Sequence, residues 1–358
     1  MSPVNILVTG AGAPGIKGTV YALKNNPDEI GVKIVGTDIK ENVVGRYLVE
    51  NFYIVPKPEK DGYLEALLEI CKEEDINFIL PQTTREVQIL AKEHKLFNAS
   101  GIKIAVSKET AITLANNKYY LLETFARHNL PHPKYRLAKS ESEFVESVYH
   151  LGYPSRSVVV RPPISNGMRG LRILTKDPWD VERYLNEKPS GVELDLDSML
   201  KILRNGSYWP ELLLTEYLPG PEYTVDVFRG REANVVIPRL RKSIRSGITF
   251  HSLIDIRKDI IEISLQAAKI MDLQYAFGFQ YILDEAGVPK IIESNPRIQG
   301  TMVASIFAGY NIPWYTIREL MGDPVTINEV KNPAVSGIEF LRYWGGIAVL
   351  DGKVLGSI

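Results

Sequence analysis

Near the C-terminal end of the chain, Lys290-Ile291-Ile292-Glu293-Ser294-Asn295-Pro296-Arg297 runs from an apolar strand pattern into a carboxylate, an amide and a guanidinium at alternate positions. Residues two apart in a strand share one face. Glu293, Asn295 and Arg297 therefore project together until Pro296 ends regular pairing. A charged oxygen ligand, a neutral oxygen ligand and a cation on one face suit a magnesium-bound polyphosphate. Gln280 joins them from Phe277-Gly278-Phe279-Gln280-Tyr281, a strand that Asp284-Glu285-Ala286-Gly287 turns back toward the one bearing Glu293. Magnesium takes few protein ligands and completes its octahedron with phosphate oxygens and water. Glu293 can bridge two metals while Gln280 and Asn295 each complete one shell. The plain alternative is an exposed polar hairpin face.

Other segments carry matching chemistry. Leu214-Thr215-Glu216-Tyr217-Leu218-Pro219-Gly220-Pro221-Glu222 reads as a strand, a hinge and a second strand. Its apolar residues and free backbone groups could clamp a purine ring, with Glu216 near the base and Glu222 accepting from ribose hydroxyls. An ordinary strand–turn–strand with exposed acids is the competing reading. Arg161 ends a valine strand ahead of the polar loop 162–170, whose amides and Arg169 could close over β- and γ-phosphates. Lys118 opens a helix after Asn116-Asn117 and could reach an α-phosphate; either cation alone also reads as a surface residue. Arg239, Arg241 and Arg245 precede Gly247 and His251, and they read either as a solvated face or as positive charge near a developing acyl phosphate.

The N-terminus offers a rival. Gly10-Ala11-Gly12-Ala13-Pro14-Gly15 fits G-x-G-x-x-G directly after a strand, and Asp38 ends the next strand. By itself this suggests an NAD-dependent oxidoreductase. Pro14 removes one amide donor from the turn, and no later segment supplies a hydride-transfer constellation. A glycine turn that binds another ligand, or none, is the other reading.

These residues need elements to hold them. The first hundred or so residues alternate strands (Ile6–Thr9, Val32–Thr37, Asn77–Leu80, Ile102–Val106) with helices (16–25, 61–72 and about 85–94), which implies a parallel sheet with helices on both faces. Residues 108–130 read as helical. A mixed region follows, in which 157–161 and 171–174 are strands and 178–209 is poorly readable, taken as helices with an insertion around Gly191–Asp197. From Leu212 the pattern is sheet-rich (212–217, 222–229, 232–238, 276–284, 288–294), with helices at 257–271 and 302–321 and two strand-like runs after about 333.

Composition sets bounds on the whole. The chain has 358 residues, room for two or three domains at roughly 100–200 residues each. Lys+Arg 42 against Asp+Glu 43 gives a net charge of -1, without the basic stripe a nucleic-acid partner would require. One cysteine precludes an intrachain disulfide and fits a reducing cytosol. Cys71 follows Leu64, Leu67 and Leu68 at helical spacing, as a buried thiol would. No apolar run approaches the ~20 residues that span a bilayer, and no charged region precedes the strand at Ile6. Neither a membrane partner nor a signal peptide is expected, and a cytoplasmic location is.

Taken in order, these segments resemble the ATP-grasp superfamily, most closely its single-copy, carbamoyl-phosphate-synthase-like carboxylate–amine ligases. The resemblance rests on E-Y-L-P-G-P-E-Y-T-V-D-V at 216–227, I-I-E-S-N-P-R at 291–297, the N-terminal V-T-G-A-G, D-I-N-F-I-L-P, and L-R-Y-W at 341–344. It implies mixed α/β and α+β architecture: a Rossmann-like parallel-sheet domain (1–112), then an ATP-grasp small subdomain with phosphate loop (113–210) and a large subdomain with metal site and tail (211–358). It implies that Lys118 and Arg161 hold ATP phosphates, that Glu216, Tyr217 and Leu218 meet the adenine, and that Glu222 meets the ribose. Gln280, Glu293 and Asn295 would bind Mg2+, with Mn2+ an acceptable substitute. Arg297, with Arg241 and Arg245, would serve the transferring phosphoryl group. Two positions depart from many relatives: Gln280 replaces a carboxylate, as in the carbamoyl phosphate synthase branch, and Arg161 replaces a lysine. The resemblance further implies a small carboxylate and an amine as substrates, allows a homodimer, and assigns the Rossmann-like domain to the second-substrate cleft rather than to NAD. Carboxyphosphate chemistry of the carbamoyl phosphate synthase type and a regulatory nucleotide-binding role are the remaining alternatives.

Overall fold

The computed structural model describes residues 3–165, 167–176, 179–187, 191–343 and 345–358. Asn166 of the phosphate loop, residues 178 and 188–190 of the poorly readable stretch, and Trp344 of the closing motif lie outside the described residues. The chain divides into two compact units: Met1–Asn116, Tyr223–Gln280 and Ser294–Ile358 form the first, Asn117–Glu222 and Tyr281–Glu293 the second.

The first unit begins with β1 (Val4–Thr9), α1 (Ile16–Lys24), β2 (Val32–Asp38), a 3-10 turn at Val44–Tyr47 and β3 (Asn51–Ile54). It continues through α2 (Tyr63–Glu73), β4 (Phe78–Pro81), α3 (Thr84–Lys92), α4 (His94–Ala99), β5 (Lys103–Ile104) and α5 (Glu109–Asn116). The five strands are parallel in the order β3-β2-β1-β4-β5. Successive residues of β1 serve opposite cores. Ile6 and Val8 pack with Ile34 and Leu80, while Leu7 packs with Val35, Ile79 and Ile104. Burial on both faces explains the near-continuous apolar strands, and each such side chain contributes roughly 1.5–3 kcal/mol. Helix α2 turns Leu67, Ile70 and Cys71 inward, and burial pushes the Cys71 thiol up to about 12. The helix expected near 85–94 stops at Lys92, and a second short helix, α4, follows it.

The second unit contains α6 (Lys118–Arg127), β6 (Tyr135–Ala138), α7 (Glu141–His150), β7 (Val158–Arg161) and β8 (Arg172–Leu174). Beyond them lie α8 (Val181–Asn186), β9 (Glu193–Leu194), α9 (Leu196–Arg204) and β10 (Leu212–Glu216). Its strands run β6-β10-β7-β8-β9, antiparallel except for β8 with β9. Phe144 and Val148 of α7 and Met199, Leu200 and Leu203 of α9 cover Val158, Val160, Leu212 and Leu214. The helical region expected over 108–130 is two helices, and Lys118 opens the second as expected: Asn117 adopts extended backbone and accepts from the Tyr119 and Tyr120 amides.

The remaining elements are β11 (Glu222–Arg229), β12 (Asn234–Arg245), β13 (Ile248–Ile254), α10 (Lys258–Ile270), β14 (Tyr275–Leu283) and β15 (Pro289–Asn295). They end with α11 (Ala304–Phe307), α12 (Ile312–Met321), α13 (Ile327–Val330), β16 (Glu339–Leu341), β17 (Ile347–Leu350) and β18 (Lys353–Ser357). The sheet order is β15-β14-β11-β12-β13-β16, with β17 and β18 a separate hairpin. The strand expected to end at 238 runs on to Arg245 and returns as β13, because Ser246 and Gly247 both adopt left-handed backbone. The helix expected over 302–321 is interrupted at Gly309, and Asn311 caps its second half through the Trp314 amide.

Candidate active site

In the second unit, three residues expected to handle phosphate and metal converge. Lys118 is the first residue of α6, oriented by the Asn117 cap. Its backbone amide donates to Pro163 O at 2.9 Å and its Nζ to Ser165 O at 2.8 Å, tying α6 to the start of the 162–170 loop. The same Nζ lies 3.3 Å from Glu293 Oε1. Arg161, at the end of β7, is 9% exposed and donates from Nη2 to Ile292 O at 2.9 Å. Its buried Nε has no hydrogen-bond partner among the described residues.

Electrostatics follow from this packing. Burial lowers the Arg161 guanidinium from its usual range, opposed first by the Glu293 carboxylate and then by Glu222. Burial likewise lowers the Lys118 ammonium, opposed by Glu293, while Arg161 adds to the fall. Lys118 and Arg161 share the partly exposed Glu293 carboxylate, and Arg161 keeps a buried N–H donor in reserve. Such a site suits a polyphosphate. The Pro163 and Ser165 anchors had no signal in the sequence, since both act through backbone carbonyls.

The hinge is in the same unit. Glu216 closes β10, and its Oε1 accepts from the Lys134 amide at 2.8 Å. Leu218 is buried and Tyr217 is 46% exposed. The Pro219-Gly220-Pro221 turn is fixed by Gly220 N–H to Leu283 O (3.0 Å) and Leu283 N–H to Pro221 O (3.1 Å). Glu222 opens β11.

Gln280, Asn295 and Arg297 belong to the first unit, Glu293 to the second. Gln280 is half-buried on β14. Arg297 donates to Thr84 Oγ1 at 3.2 Å, to Ile298 O at 3.0 Å and to Asn295 Oδ1 at 3.4 Å. The Thr84 contact, across the sequence from Arg297, was not legible. The β12 arginines have distinct fates. Arg239 is fully buried, paired through two donors with Asp226 (2.6 and 2.8 Å) and bonded to Thr301 Oγ1 (2.8 Å). Arg241 is buried, donating to Thr249 Oγ1 (2.9 Å) and to Gly247 O (2.7 Å) at the β12–β13 turn. Arg245 is exposed, its guanidinium 4.9 Å from the Phe250 ring centroid. His251 lies 3.4 Å from Glu339.

The rival glycine turn is occupied by the protein itself. Gly12 N–H donates to Asp38 Oδ2 at 2.7 Å. The acid that would meet a ribose thus fills the amide that would meet an anion.

Among the described residues no group of three His, Cys, Asp or Glu side chains could hold a metal. No helix among the described residues is long and apolar enough to cross a membrane.

Residues 208–339 match a family model described as ATP-grasp in the biosynthetic pathway with Ter operon, and residues 6–105 match the N-terminal domain of PylC-like proteins. Residues 208–339 are thus similar to ATP-grasp proteins, and the parallel sheet ahead of them to the N-terminal domain of PylC-like proteins. The carbamoyl phosphate synthase large chain of Clostridium acetobutylicum is 25% identical over 251 residues, 67% of this chain. The match spans 21% of that protein, so the chain covers about a fifth of its length. Among solved structures, an N5-carboxyaminoimidazole ribonucleotide synthetase with ADP superposes with TM-score 0.67 at 17% identity, covering 91% of this chain and 80% of the other. The biotin carboxylase domain dimer of Hydrogenobacter thermophilus 2-oxoglutarate carboxylase, with MgADP, ADP and bicarbonate, gives TM-score 0.67 at 19% identity, covering 90% and 70%.

Proposed function

We propose that the chain is an ATP-dependent carboxylate–amine ligase. The observation that carries this reading is the Lys118–Arg161–Glu293 cluster, with its buried donor in reserve at Arg161 Nε. Glu216, Tyr217 and Leu218 receive the adenine, Glu222 the ribose hydroxyls, and Lys118 and Arg161 the phosphates. Gln280, Glu293 and Asn295 would hold magnesium, which neutralises phosphate charge when bound. A carboxylate oxygen bonds to the γ-phosphorus as the bond to the β-phosphate oxygen breaks, releasing ADP and leaving an acyl phosphate. An amine then attacks the acyl carbon, phosphate departs, and the amine proton passes to solvent or phosphate. The protein's work is positioning and charge neutralisation, with Arg297 at the transferring group. The 162–170 loop shields the acyl phosphate from water. The three-part division at 112 and 210 is the functional one in this reading, and the cytosol its setting.

Arg241 supports the chemistry indirectly, through the turn it holds, and Arg245 is the more available cation. Similarity to proteins that handle bicarbonate favours a second reading, in which bicarbonate is the carboxylate and carboxyphosphate the activated species. The Asp38–Gly12 bond weighs against nicotinamide binding. The test is ADP release from Mg-ATP with pooled amino acids and small carboxylates, and separately with bicarbonate, followed by mass spectrometry of products. Absence of ADP release in every arm refutes both ligase readings.

A further inference from the structure

The glycine turn is a motif that the proposed chemistry leaves without a task. Its surroundings give it one. Gly15 faces the backbone of Gly300: a Cβ at position 15 would lie 2.8 Å from the Gly300 Cα. One helical turn later, a Cβ at Gly18 would lie 2.9 Å from Val303 side-chain atoms. Arg342 straps the two segments, donating to Gly300 O at 2.6 Å and to Pro14 O at 3.4 Å. Residues 297–303, which follow directly on the metal-strand motif, therefore rest on the turn and on the first helix behind it.

The other side of that segment is held by the sheet. The Gln299 amide occupies the space a side chain would need at Gly278, and its Nε2 donates to Val225 O at 3.2 Å. Thr301 Oγ1 accepts from Arg239 at 2.8 Å, and Arg239 is fixed in turn by Asp226 with neither side chain exposed. Val225 and Arg239 on the sheet, Gly15 at the turn and Gly18 on α1 clamp the stretch 299–303, and Arg297 stands just ahead of it.

The geometry points to a positioning role for the glycine-rich turn: it is the seat that fixes the 297–303 segment, and through it the Arg297 guanidinium. Gly15, Gly18, Gln299, Thr301, Arg239 and Arg342 are the positioning residues. Small residues are required at 15 and 18 because the segment comes close, not because a pyrophosphate does. The inference rests on the ligase reading for what Arg297 does, but the seat itself is testable without turnover.

Gly15→Ala is the direct test. Gly15 has φ -91° and ψ -6°, a backbone state open to alanine, so the contact with Gly300 is what the added methyl disturbs. Hydrogen exchange of the amides in 297–303 should quicken about tenfold or more, with thermal unfolding still cooperative. With Mg-ATP and a productive substrate pool, kcat for ADP release should fall about tenfold or more while KM for ATP stays within about twofold. Gln299→Ala is the second variant and should quicken exchange in the same segment. Unchanged exchange in both Gly15→Ala and Gln299→Ala overturns the seat. So does saturable NADH binding by the wild-type chain that Gly15→Ala abolishes. If the wild-type chain releases no ADP, the ligase reading fails, and the exchange result still decides the seat.

Discussion

Replacing Glu293 by Gln removes the one carboxylate that Lys118 and Arg161 share. Lys118 Nζ stands 3.3 Å from Glu293 Oε1. At an effective dielectric constant near 20 the gross attraction is about 5 kcal/mol. Most of it is offset, because Lys118 keeps its bond to Ser165 O at 2.8 Å and the Glu293 side chain is 24% exposed. A net loss of about 1–2 kcal/mol is expected, seen as a thermal midpoint lowered by a few degrees. Nucleotide binding should change in the opposite direction without metal. Freed of their anion, the two cations should bind metal-free ADP roughly fivefold more tightly, the equivalent of about 1 kcal/mol at 4 Å in water-like screening. Added Mg2+ should then do little, and ADP release should fall by about 100-fold or more. Calorimetric titration of ADP with and without Mg2+, beside a turnover assay, reads all three. If Glu293→Gln keeps the wild-type magnesium response and turnover, the placement of Glu293 at the metal is wrong.

Arg161→Met removes a buried donor set and should weaken ADP binding roughly 10–100-fold; unchanged affinity by calorimetry would take Arg161 out of the phosphate site. Asp226→Asn leaves Arg239 buried without its carboxylate and should destabilise the fold by about 3–5 kcal/mol in urea unfolding, whereas a surface-like loss under about 0.5 kcal/mol would contradict the burial argument. Glu86 is a pH probe. Burial pushes its carboxyl up from the usual range, against hydrogen bonds from Thr83 and Tyr63. A raised folded value means its contribution to stability is fully present below the unfolded carboxyl value of about 4.3 and is lost as pH rises through the folded value. Glu86→Gln should therefore gain stability over wild type at neutral pH and lose that advantage near pH 4. Thermal melts across this range that show parallel curves would refute the assignment.

The parallel sheet was legible because both its faces are buried, which leaves unbroken apolar strands such as Ile6-Leu7-Val8. The hinge at 216–222 and the 284–287 turn were legible because proline and glycine mark them locally. The start of a helix at Lys118 was legible from Asn116-Asn117, whereas the interruption at Gly309 was read through because the apolar pattern continues across it. The β12–β13 hairpin was missed for a related reason: Ser246-Gly247 is a short turn inside a polar stretch, and the strands around it owe their pairing to their sheet neighbours. Arg239, Arg241 and Arg245 looked equivalent in sequence. Their fates differ because Asp226, Thr249 and Phe250 meet them from other strands or across the hairpin. Asp38 shows the reverse case, a motif correctly spotted whose carboxylate turns inward onto Gly12.

The buried Cys71 has a practical corollary. With its thiol 2% exposed and shifted to about 12, alkylating and oxidising reagents at neutral pH will find almost no thiolate. The native chain therefore behaves toward such reagents as though it had no cysteine. A single cysteine introduced at an exposed position, such as Tyr217 at the hinge, would be the one reactive thiol. On the proposed reading, a dye attached there would report nucleotide arrival, and Cys71 would add almost no background label.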